Sequence, residues 1–281
     1  MIENRRTDLY RFLRYVPKNH LSRAAGRLLH VRLPRPVARR VVRWFANAYE
    51  IDVAAATKEL HEYPSIGDFF IRDLREGLRP IESDLVSPVD GKLRNFGTIE
   101  SGRIEQVKGK TYTIDRFLGD PELAKRYENG TYFNLYLSPQ DYHHIHAPVG
   151  GKIIRSVHIP GRLWPVNDWS LANVDELFSI NERVVTYIDG ALGRVAAVMI
   201  GATNVGKISV TYDTFISNSA NTDRTVARDY NPSIPIAPGG RLGTFHMGSS
   251  VVVLLEPGRV DLTRVRLESG QKVQYGAAVL R

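Results

Sequence analysis

The sequence predicts an α+β protein in which an amphipathic helical N-terminal region is followed by a mostly antiparallel β core. Two features along the chain support this fold class. Apolar residues recur with helical spacing up to residue 48, whereas short β-prone runs separated by Gly, Pro and Asn begin at about residue 86. Helices grouped before strands are typical of α+β proteins rather than of alternating α/β folds.

Three amphipathic helices are expected before residue 49, followed by one short helix. The first apolar stripe consists of Leu9, Phe12, Leu13 and Val16. The second consists of Leu21, Ala24, Ala25, Leu28 and Leu29, and the third of Val37, Val41, Trp44, Phe45 and Ala48. Beyond them, Ser65 is expected to cap a short helix, with Asp68 in place of the Glu of a capping box.

The β core is predicted from apolar and β-branched runs that turn residues separate. The predicted strands are Tyr132–Leu137, Lys152–Ile159, Arg183–Tyr187, Arg194–Ile200, Lys207–Tyr212 and Val251–Leu255. An internal echo relates Ser87–Leu93 to Ala147–Ile153, because both place a Pro-Val turn before a Gly-Lys step. We expect the two copies to form related hairpins on opposite sides of one β core.

Charge is concentrated at the N-terminus. The chain of 281 residues has a net charge of +8, yet residues 1–48 alone hold twelve Lys/Arg and two acids. Everything after residue 48 is therefore close to neutral. No apolar run approaches the ~20 residues of a membrane-spanning helix, and the first residues lack the apolar core of a signal peptide.

This distribution predicts two regions: residues 1–48 as a basic amphipathic membrane-association segment, and residues 49–281 as a β-rich catalytic domain. Basic helices with aromatic residues are typical of segments that lie in a membrane interface, so an anionic membrane surface is the expected partner. The simpler alternative is that these helices pack on the body with solvated arginines. Nucleic-acid binding is not expected, because the cations alternate with large apolar residues.

Three of the eight histidines, His143, His144 and His146, lie within four positions. In an extended segment, His144 and His146 would share one face and His143 would lie on the other. Zinc binding and a purely structural role are both possible for such a cluster, but the sequence favours acid–base catalysis. The absence of cysteine excludes disulfides, thiolate metal sites and a cysteine nucleophile, and we expect no metal.

Asp90 and the Gly248-Ser249-Ser250 step carry weaker signals. An Asp before Gly is common in turns, although a buried carboxylate can also orient a catalytic imidazole. A Gly-Ser-Ser step before a strand is ordinarily a turn, and the Gly-x-Ser-x-Gly elbow of serine hydrolases is not present.

Four motifs in order nevertheless resemble those of the phosphatidylserine decarboxylases, in their pyruvoyl-dependent, membrane-associated bacterial form. They are Ser-Pro-Val-Asp-Gly at 87–91, Asp-Tyr-His-His-Ile-His-Ala-Pro at 141–148, Glu-Leu-Phe-Ser-Ile-Asn-Glu-Arg-Val-Val at 176–185, and Gly-x-Phe-x-Met-Gly-Ser-Ser-Val at 243–251. The resemblance covers nearly the whole chain. It departs from the usual Leu-Gly-Ser-Thr cleavage motif, since the chain has Met247-Gly248-Ser249-Ser250.

The resemblance implies that Asp90, His146 and Ser249 form an autocatalytic triad. Asp90 would orient the imidazole, His146 would remove the hydroxyl proton, and Ser249 would attack the Gly248 carbonyl. An N-to-O acyl shift, elimination to dehydroalanine and loss of ammonia would then leave a covalent pyruvoyl cofactor at Ser249. The products would be a β chain of residues 1–248 and an α chain of residues 249–281.

The same resemblance implies the reaction: phosphatidylserine forms a Schiff base with the pyruvoyl group, loses CO2 and leaves as phosphatidylethanolamine. His143 is the implied general acid or a contact for the carboxylate side, and no role is assigned to His144. The family suggests a homodimer of α/β heterodimers, bound peripherally to the cytoplasmic face of the cell membrane. Two rivals stay open: a non-catalytic membrane-binding β scaffold, and a decarboxylase of another serine-headed lipid.

Overall fold

The computed structural model describes residues 18–107, 109–203, 207–218, 223–246 and 250–281. Short N-terminal helices precede a large antiparallel sheet, so the predicted α+β class is confirmed. No helix within these ranges has the length and apolar character to cross a membrane.

The helices are short, and most of them precede or border the sheet. The α-helices are α1 (Lys18–Leu29), α2 (Arg35–Ala48), α3 (Ile66–Phe70), α4 (Ile114–Leu118), α5 (Pro121–Ala124), α6 (Asp168–Asn173) and α7 (Leu177–Ile180). Single 3-10 turns lie at Leu60–Glu62, Lys125–Tyr127 and Leu262–Arg264. The second and third predicted helices are thus confirmed, whereas the stripe at Leu9–Val16 lies outside the described residues.

The expected cap of the short helix is present. The Ser65 hydroxyl oxygen accepts the Asp68 N–H at 3.0 Å and donates to the Asp68 carboxylate at 2.5 Å. The first contact satisfies a backbone N–H that the first turn of α3 would otherwise leave without a partner, and the second joins the two side chains. The cap fixes where α3 begins, and the residues at its other end contact the histidine segment described below.

Within the described ranges, thirteen strands form three sheets. They are β1 (Gly91–Thr98), β2 (Arg103–Val107), β3 (Lys110–Thr113), β4 (Thr131–Tyr136), β5 (His144–His146), β6 (Gly151–Ile159), β7 (Arg183–Gly190), β8 (Gly193–Ile200), β9 (Ile208–Val210), β10 (Val226–Ile236), β11 (Arg241–Phe245), β12 (Ser250–Leu255) and β13 (Lys272–Val273). The main sheet has the order β10-β6-β7-β8-β12-β4-β1-β13. A smaller sheet has the order β5-β11-β9, and β2 pairs with β3.

Strand β12 lies inside the main sheet, between β4 and β8. All six of its residues are buried, which explains why its sequence is a continuous apolar run rather than an alternation. The chain passes directly from the small sheet, where β11 ends at Phe245, into the main sheet, where β12 begins at Ser250. The predicted cleavage site at Gly248–Ser249 lies in sequence between the end of β11 and the start of β12, outside the described residues.

The internal echo corresponds to two strands in matching positions. Gly91 begins β1 and Gly151 begins β6, which are the second strands from opposite edges of the main sheet. A Cβ at either glycine would lie 2.4 Å or less from a carbonyl oxygen of the neighbouring strand, so no other residue fits there without a shift. Both strands also shift register at equivalent places, after Leu93 and after Ile153. The two copies are related strands, each paired with a strand distant in sequence.

Most predicted strands are confirmed, but several strands of the described residues were not predicted, among them β2, β3, β10 and β11. The run predicted at Lys207–Tyr212 forms only the three-residue β9, and the polar Val226–Ile236 run forms the longest strand, β10, which was not predicted. Strand β10 is at the edge of the main sheet, and its pairing with β6 is interrupted between Asp229 and Ile234. Edge strands tolerate polar residues and proline, which is why their apolar pattern is weak.

Helix α2 packs through one face and exposes apolar side chains on another. Val42 and Phe45 are buried in a small core with Phe70, and each such burial contributes roughly 1.5–3 kcal/mol. On the exposed side, Val37 and Trp44 are 45% and 64% accessible. Helix α1 likewise exposes large apolar side chains, namely Leu21 and Leu28. The described N-terminal helices thus do not bury their whole apolar surface on the body.

Candidate active site

Backbone hydrogen bonds bring three of the four motifs together, those at 87–91, 141–148 and 243–251. The His146 N–H donates to the Pro88 carbonyl at 2.8 Å, which joins β5 to the turn that leads into β1. Strand β5 pairs with β11, and the Phe245 N–H donates to the His143 carbonyl at 2.9 Å. The histidine segment therefore lies between the Asp90 turn and the end of β11, three residues before the predicted cleavage bond.

The same elements meet at one end of the strands of the main sheet. Lys92, Tyr136 and Ser250 are in register across β1, β4 and β12. Because β1 and β12 are both antiparallel to β4, they run in the same direction. Both therefore begin at the end of the sheet where β4 ends. Adjacent strands are about 4.8 Å apart, so the beginnings of β1 and β12 are separated by about 10 Å. Topology thus explains why motifs distant in sequence act at one place.

His146 is held as a neutral base. Its Nδ1 lies 2.7 Å from the Gly239 carbonyl oxygen, which can only accept a hydrogen bond. The proton of the neutral ring therefore lies on Nδ1, and Nε2 keeps its lone pair. Nε2 is buried, with no hydrogen-bond partner among the described residues. Burial, as the largest cause, lowers the pKa of His146 to about 4, so the ring is uncharged at neutral pH.

Asp90 does not orient His146 by a direct hydrogen bond, contrary to the arrangement that the sequence implied. Its carboxylate accepts three hydrogen bonds from the Arg79 guanidinium, at 2.6 to 3.2 Å, and one from the Tyr275 N–H at 2.9 Å. The carbonyl of Gly239 takes the place that the carboxylate was expected to occupy at Nδ1. The negative charge of Asp90 still acts on the ring, since it raises the pKa of His146 against the larger effect of burial.

Tyr275 connects Asp90 to His146 and was not identified from the sequence. Its ring stacks on the His146 imidazole with a centroid distance of 3.8 Å and an interplanar angle of 5°, while its N–H binds Asp90. A single Tyr near a Gly-Ala step gave no sequence signal for this role. Tyr275 belongs to residues 249–281, so both predicted cleavage products contribute to the site.

His143 is on the opposite side of the histidine segment. It is fully buried, its Nδ1 donates to the Asp141 carbonyl at 2.8 Å, and its ring centroid is 3.9 Å from that of Phe70. Its Nε2 is also buried without a partner in the described part of the chain. Burial, with the charge of Arg72 as the second cause, lowers the pKa of His143 well below its usual value. A general-acid role therefore requires that His143 first receive a proton during the reaction.

The structure gives His144 a structural role. Its Nε2 donates to the Ile71 carbonyl at 3.0 Å, and its Nδ1 accepts the Thr244 hydroxyl at 2.7 Å. Both ring nitrogens are thus occupied. His144 and His146 both contact the Tyr142 ring, whereas His143 contacts Phe70, which confirms the predicted alternation of faces. No group of three or more potential metal ligands occurs in the described ranges.

Two further features flank the predicted cleavage bond. On its N-terminal side, His246 Nε2 is 3.1 Å from the Ser209 hydroxyl, and burial lowers the pKa of His246 to about 4. On its C-terminal side, the Ser250 hydroxyl is buried without a hydrogen-bond partner among the described residues. Gly248 and Ser249 themselves lie outside the described residues.

An open cleft of about 620 Å³ borders this region. Its lining is largely polar and contains side chains of both charges, among them Arg72, Arg79, Asp90, Asp141 and Lys272. A cleft of this size accommodates a small polar group.

Comparison with known proteins decides the family. Residues 66–281 match the family model described as phosphatidylserine decarboxylase. The chain belongs to the phosphatidylserine decarboxylase family. Two of its relatives are the phosphatidylserine decarboxylase proenzymes of Anaeromyxobacter sp. (strain K), 45% identical with 94% of each chain covered, and of Myxococcus xanthus, 42% identical with 89% of this chain and 90% of the relative covered. A more distant phosphatidylserine decarboxylase proenzyme, from Brevibacillus brevis, is 37% identical with 94% of each chain covered.

Proposed function

We propose that the chain is a precursor that cleaves itself between Gly248 and Ser249 and then decarboxylates phosphatidylserine to phosphatidylethanolamine. The observation that carries this proposal is the state of His146, a neutral imidazole whose Nε2 has neither proton nor partner among the described residues. A serine hydroxyl is a weak nucleophile, and an adjacent base that accepts its proton activates it. The word proenzyme in the names of the relatives supports a precursor.

In the proposed self-cleavage, His146 Nε2 accepts the hydroxyl proton of Ser249, and the oxygen attacks the Gly248 carbonyl carbon. The proton held by His146 passes to the departing nitrogen, and the C–N bond breaks as the acyl group moves from nitrogen to oxygen, which gives an ester and a free amine. Elimination then removes the Cα proton of Ser249 to a base, breaks its Cβ–O bond, frees the Gly248 carboxylate and leaves dehydroalanine. Hydrolysis consumes one water and releases one ammonia, and a pyruvoyl group remains at the head of the α chain.

The described residues near the break suit a carbonyl group of this origin. Nε2 of His143, Nε2 of His146 and Oγ of Ser250 are all buried, and no described residue is their hydrogen-bond partner. Buried polar atoms are nearly always paired, so each of these unpaired atoms is available to a reacting group. When formed, the pyruvoyl carbonyl supplies an electron sink that side chains do not provide.

We assign to His143 the role of accepting a proton from the substrate and later donating it back. The serine amine of the substrate must lose a proton before it can react, and the lone pair on His143 Nε2 can accept that proton. The same nitrogen then donates it to the carbon that has lost CO2. The low pKa of His143 opposes the first transfer and favours the second, in which the proton leaves the ring.

The main sheet would hold the two products together after cleavage. The α chain would contribute β12, which is hydrogen-bonded to β4 and β8 of the β chain along its length. It would also contribute Tyr275, which contacts Asp90 and His146. Cutting the chain before Ser250 therefore removes no strand pairing that the structure shows.

The mixed charge of the adjoining cleft supports a substrate whose head group carries both positive and negative groups. Phosphatidylserine carries an ammonium, a carboxylate and a phosphate, and the cleft offers both cationic and anionic side chains. The same lining is compatible with another serine-headed lipid, which stays the second candidate for the reaction.

We further propose that the N-terminal helices place the enzyme on the cytoplasmic face of the cell membrane, as a peripheral protein. On α2, Val37 and Trp44 are exposed beside Arg40 and Arg43, which are also exposed. Apolar side chains flanked by arginines suit an anionic lipid interface. This arrangement favours membrane contact over the alternative in which the helices only pack on the body.

The decisive test of the reaction uses vesicles that contain phosphatidylserine labelled in the serine carboxyl group. The purified wild-type protein is expected to release labelled CO2, and the Ser249→Ala and His146→Gln variants are expected to stay uncleaved and release none. His61→Gln is the matched control, since His61 is exposed and should not affect cleavage. Release of CO2 by an uncleaved chain would refute the mechanism, and turnover confined to another serine-headed lipid would favour the second candidate.

A further inference from the structure

Residues 69–73, which end α3 and follow it, lie across the histidine segment and contact it repeatedly. The Phe70 ring packs on His143, and the Ile71 carbonyl accepts the His144 Nε2–H. The Arg72 Nη2 donates to the carbonyls of Gln140 and Asp141, at 2.9 and 3.3 Å. Three successive residues therefore contact three parts of one segment.

Arg72 stands out in this set because it is a buried cation. Its side chain belongs to a residue only 4% accessible, and its guanidinium lies 5.4 Å from the Phe69 ring centroid. Nη2 contacts two neutral carbonyls, and neither Nε nor Nη1 has a hydrogen-bond partner among the described residues. Burying a guanidinium without a hydrogen-bonded carboxylate is unfavourable. Because the buried position of Arg72 is unfavourable for stability, we look for its role in the site.

The contacts of the Asp141 carbonyl indicate that role. This oxygen accepts one hydrogen bond from Arg72 Nη2 and another from His143 Nδ1, at 3.3 and 2.8 Å. A carbonyl oxygen has two lone pairs and can serve both donors. By fixing the carbonyl, Arg72 fixes the acceptor that keeps the ring proton on Nδ1 and leaves Nε2 of His143 unprotonated.

We propose that Arg72 is a positioning residue that sets the tautomer and orientation of His143 through the Asp141 carbonyl. The proposal rests on the proposed function, in which His143 exchanges a proton with the substrate. Replacing Arg72 by a residue without the guanidinium would leave the carbonyls of Gln140 and Asp141 free to turn. The His143 imidazole would then lose its fixed hydrogen-bond acceptor.

The charge of Arg72 lowers the pKa of His143 and outweighs the hydrogen bond to the Asp141 carbonyl, which raises it. Burial is the main cause of the low pKa of His143, and the guanidinium and His144 lower it further, while the hydrogen bond to Asp141 raises it. These are the groups that act on the ring among the described residues. Removal of the positive charge should therefore move the titration of His143 upward, although burial still holds its pKa below the usual value.

The proposal can be tested without any activity, by nitrogen-15 NMR of the histidine rings in the uncleaved Ser249→Ala protein. The parent is expected to show His143 with its proton on Nδ1. In Arg72→Met, we expect averaged ring nitrogen shifts, which report mixed tautomers, and an upward-shifted titration. Arg75→Met is the matched control, because Arg75 donates to the Ala56 carbonyl and should leave His143 unchanged. Arg72→Gln serves as a second variant where Arg72→Met does not fold.

A second readout uses the protein with Ser249 intact. Arg72→Met should still cleave itself, because His146 is held by Gly239 and Tyr275, but kcat for decarboxylation should fall on the order of 10²-fold with little change in KM. Arg72→Lys, which keeps a cationic donor, should recover most of the rate. An unchanged His143 tautomer and titration in both Arg72→Met and Arg72→Gln would overturn the proposal. A wild-type protein without decarboxylase activity would refute the proposed function instead, and the NMR result would still decide the role of Arg72.

Discussion

The ion pair between Arg79 and Asp90 is the contact by which the site departs most from the expected triad, and its removal has a calculable effect. The two side chains are only 13% and 10% exposed. Removing one partner of a buried pair costs about 3–5 kcal/mol, because the other charge is left uncompensated. Asp90 would keep the Tyr275 N–H as a donor, so we expect Arg79→Met to lower the free energy of unfolding by about 3 kcal/mol.

The assay is urea unfolding followed by circular dichroism, with Ser249→Ala as the parent so that every chain is uncleaved. Adding Asp90→Asn to Arg79→Met should recover part of the loss, because no charge is then left unpaired. Lys125→Met is the control, since its pair with Glu122 is exposed on both sides and contributes at most about 1 kcal/mol. Equal losses for Arg79→Met and Lys125→Met would refute the assignment of a buried, mutually dependent pair.

Other predictions concern the base, the membrane, and the structural residues of the site. With the pKa of His146 at about 4, self-cleavage of freshly translated precursor should keep its rate from pH 7.5 down to about pH 5 and decline as pH falls through about 4; a decline centred near 6.5 would contradict the neutral-base assignment. Trp44→Ser should weaken binding to anionic vesicles by roughly 2 kcal/mol, about 30-fold, with Asn47→Ser as control, and equal sedimentation would argue against the interface. His144→Leu should lower the urea midpoint but leave cleavage intact on a gel, whereas full loss of cleavage would make His144 more than structural. Tyr275→Ala should slow self-cleavage by roughly two- to tenfold through loss of the ring stack, whereas Tyr275→Phe should cleave at the wild-type rate. Equal cleavage rates for Tyr275→Ala and the wild type would show that the Tyr275 ring has no role in cleavage.

Much of the fold could be predicted because its signals are local. The buried strand β12 is a continuous apolar run, and α2 has a helical apolar stripe. Strand β10 could not be predicted, because an edge strand paired on one side needs few apolar residues. The echo of Gly91 and Gly151 was visible in sequence, but the reason for it, close approach to a neighbouring carbonyl, requires the sheet.

The sequence predicted the residues of the site better than it predicted their hydrogen-bond partners. The motifs identified Asp90, His143 and His146, and the topology brings their segments together. The hydrogen-bond partners of the two histidines could not be predicted, because backbone carbonyls have no sequence signature. Gly239 and Asp141 hold the two imidazoles through main-chain oxygens.

Long-range side-chain contacts were equally invisible in the sequence. Tyr275 is 129 positions from His146 in the chain, and Arg79 precedes Asp90 in a stretch without regular periodicity. Such residues are found only when the fold brings them to the site. The same holds for Arg72, whose sequence context indicates a helix end and nothing about the histidine that it faces.

The central claim is that Ser249 first breaks its own chain and then becomes the cofactor at the break. Intact-mass measurement of the purified protein tests it most directly. We predict two polypeptides, residues 1–248 and residues 249–281, whose summed mass equals that of the precursor plus one water minus one ammonia. A single chain of unmodified mass that nevertheless decarboxylates phosphatidylserine would contradict the account.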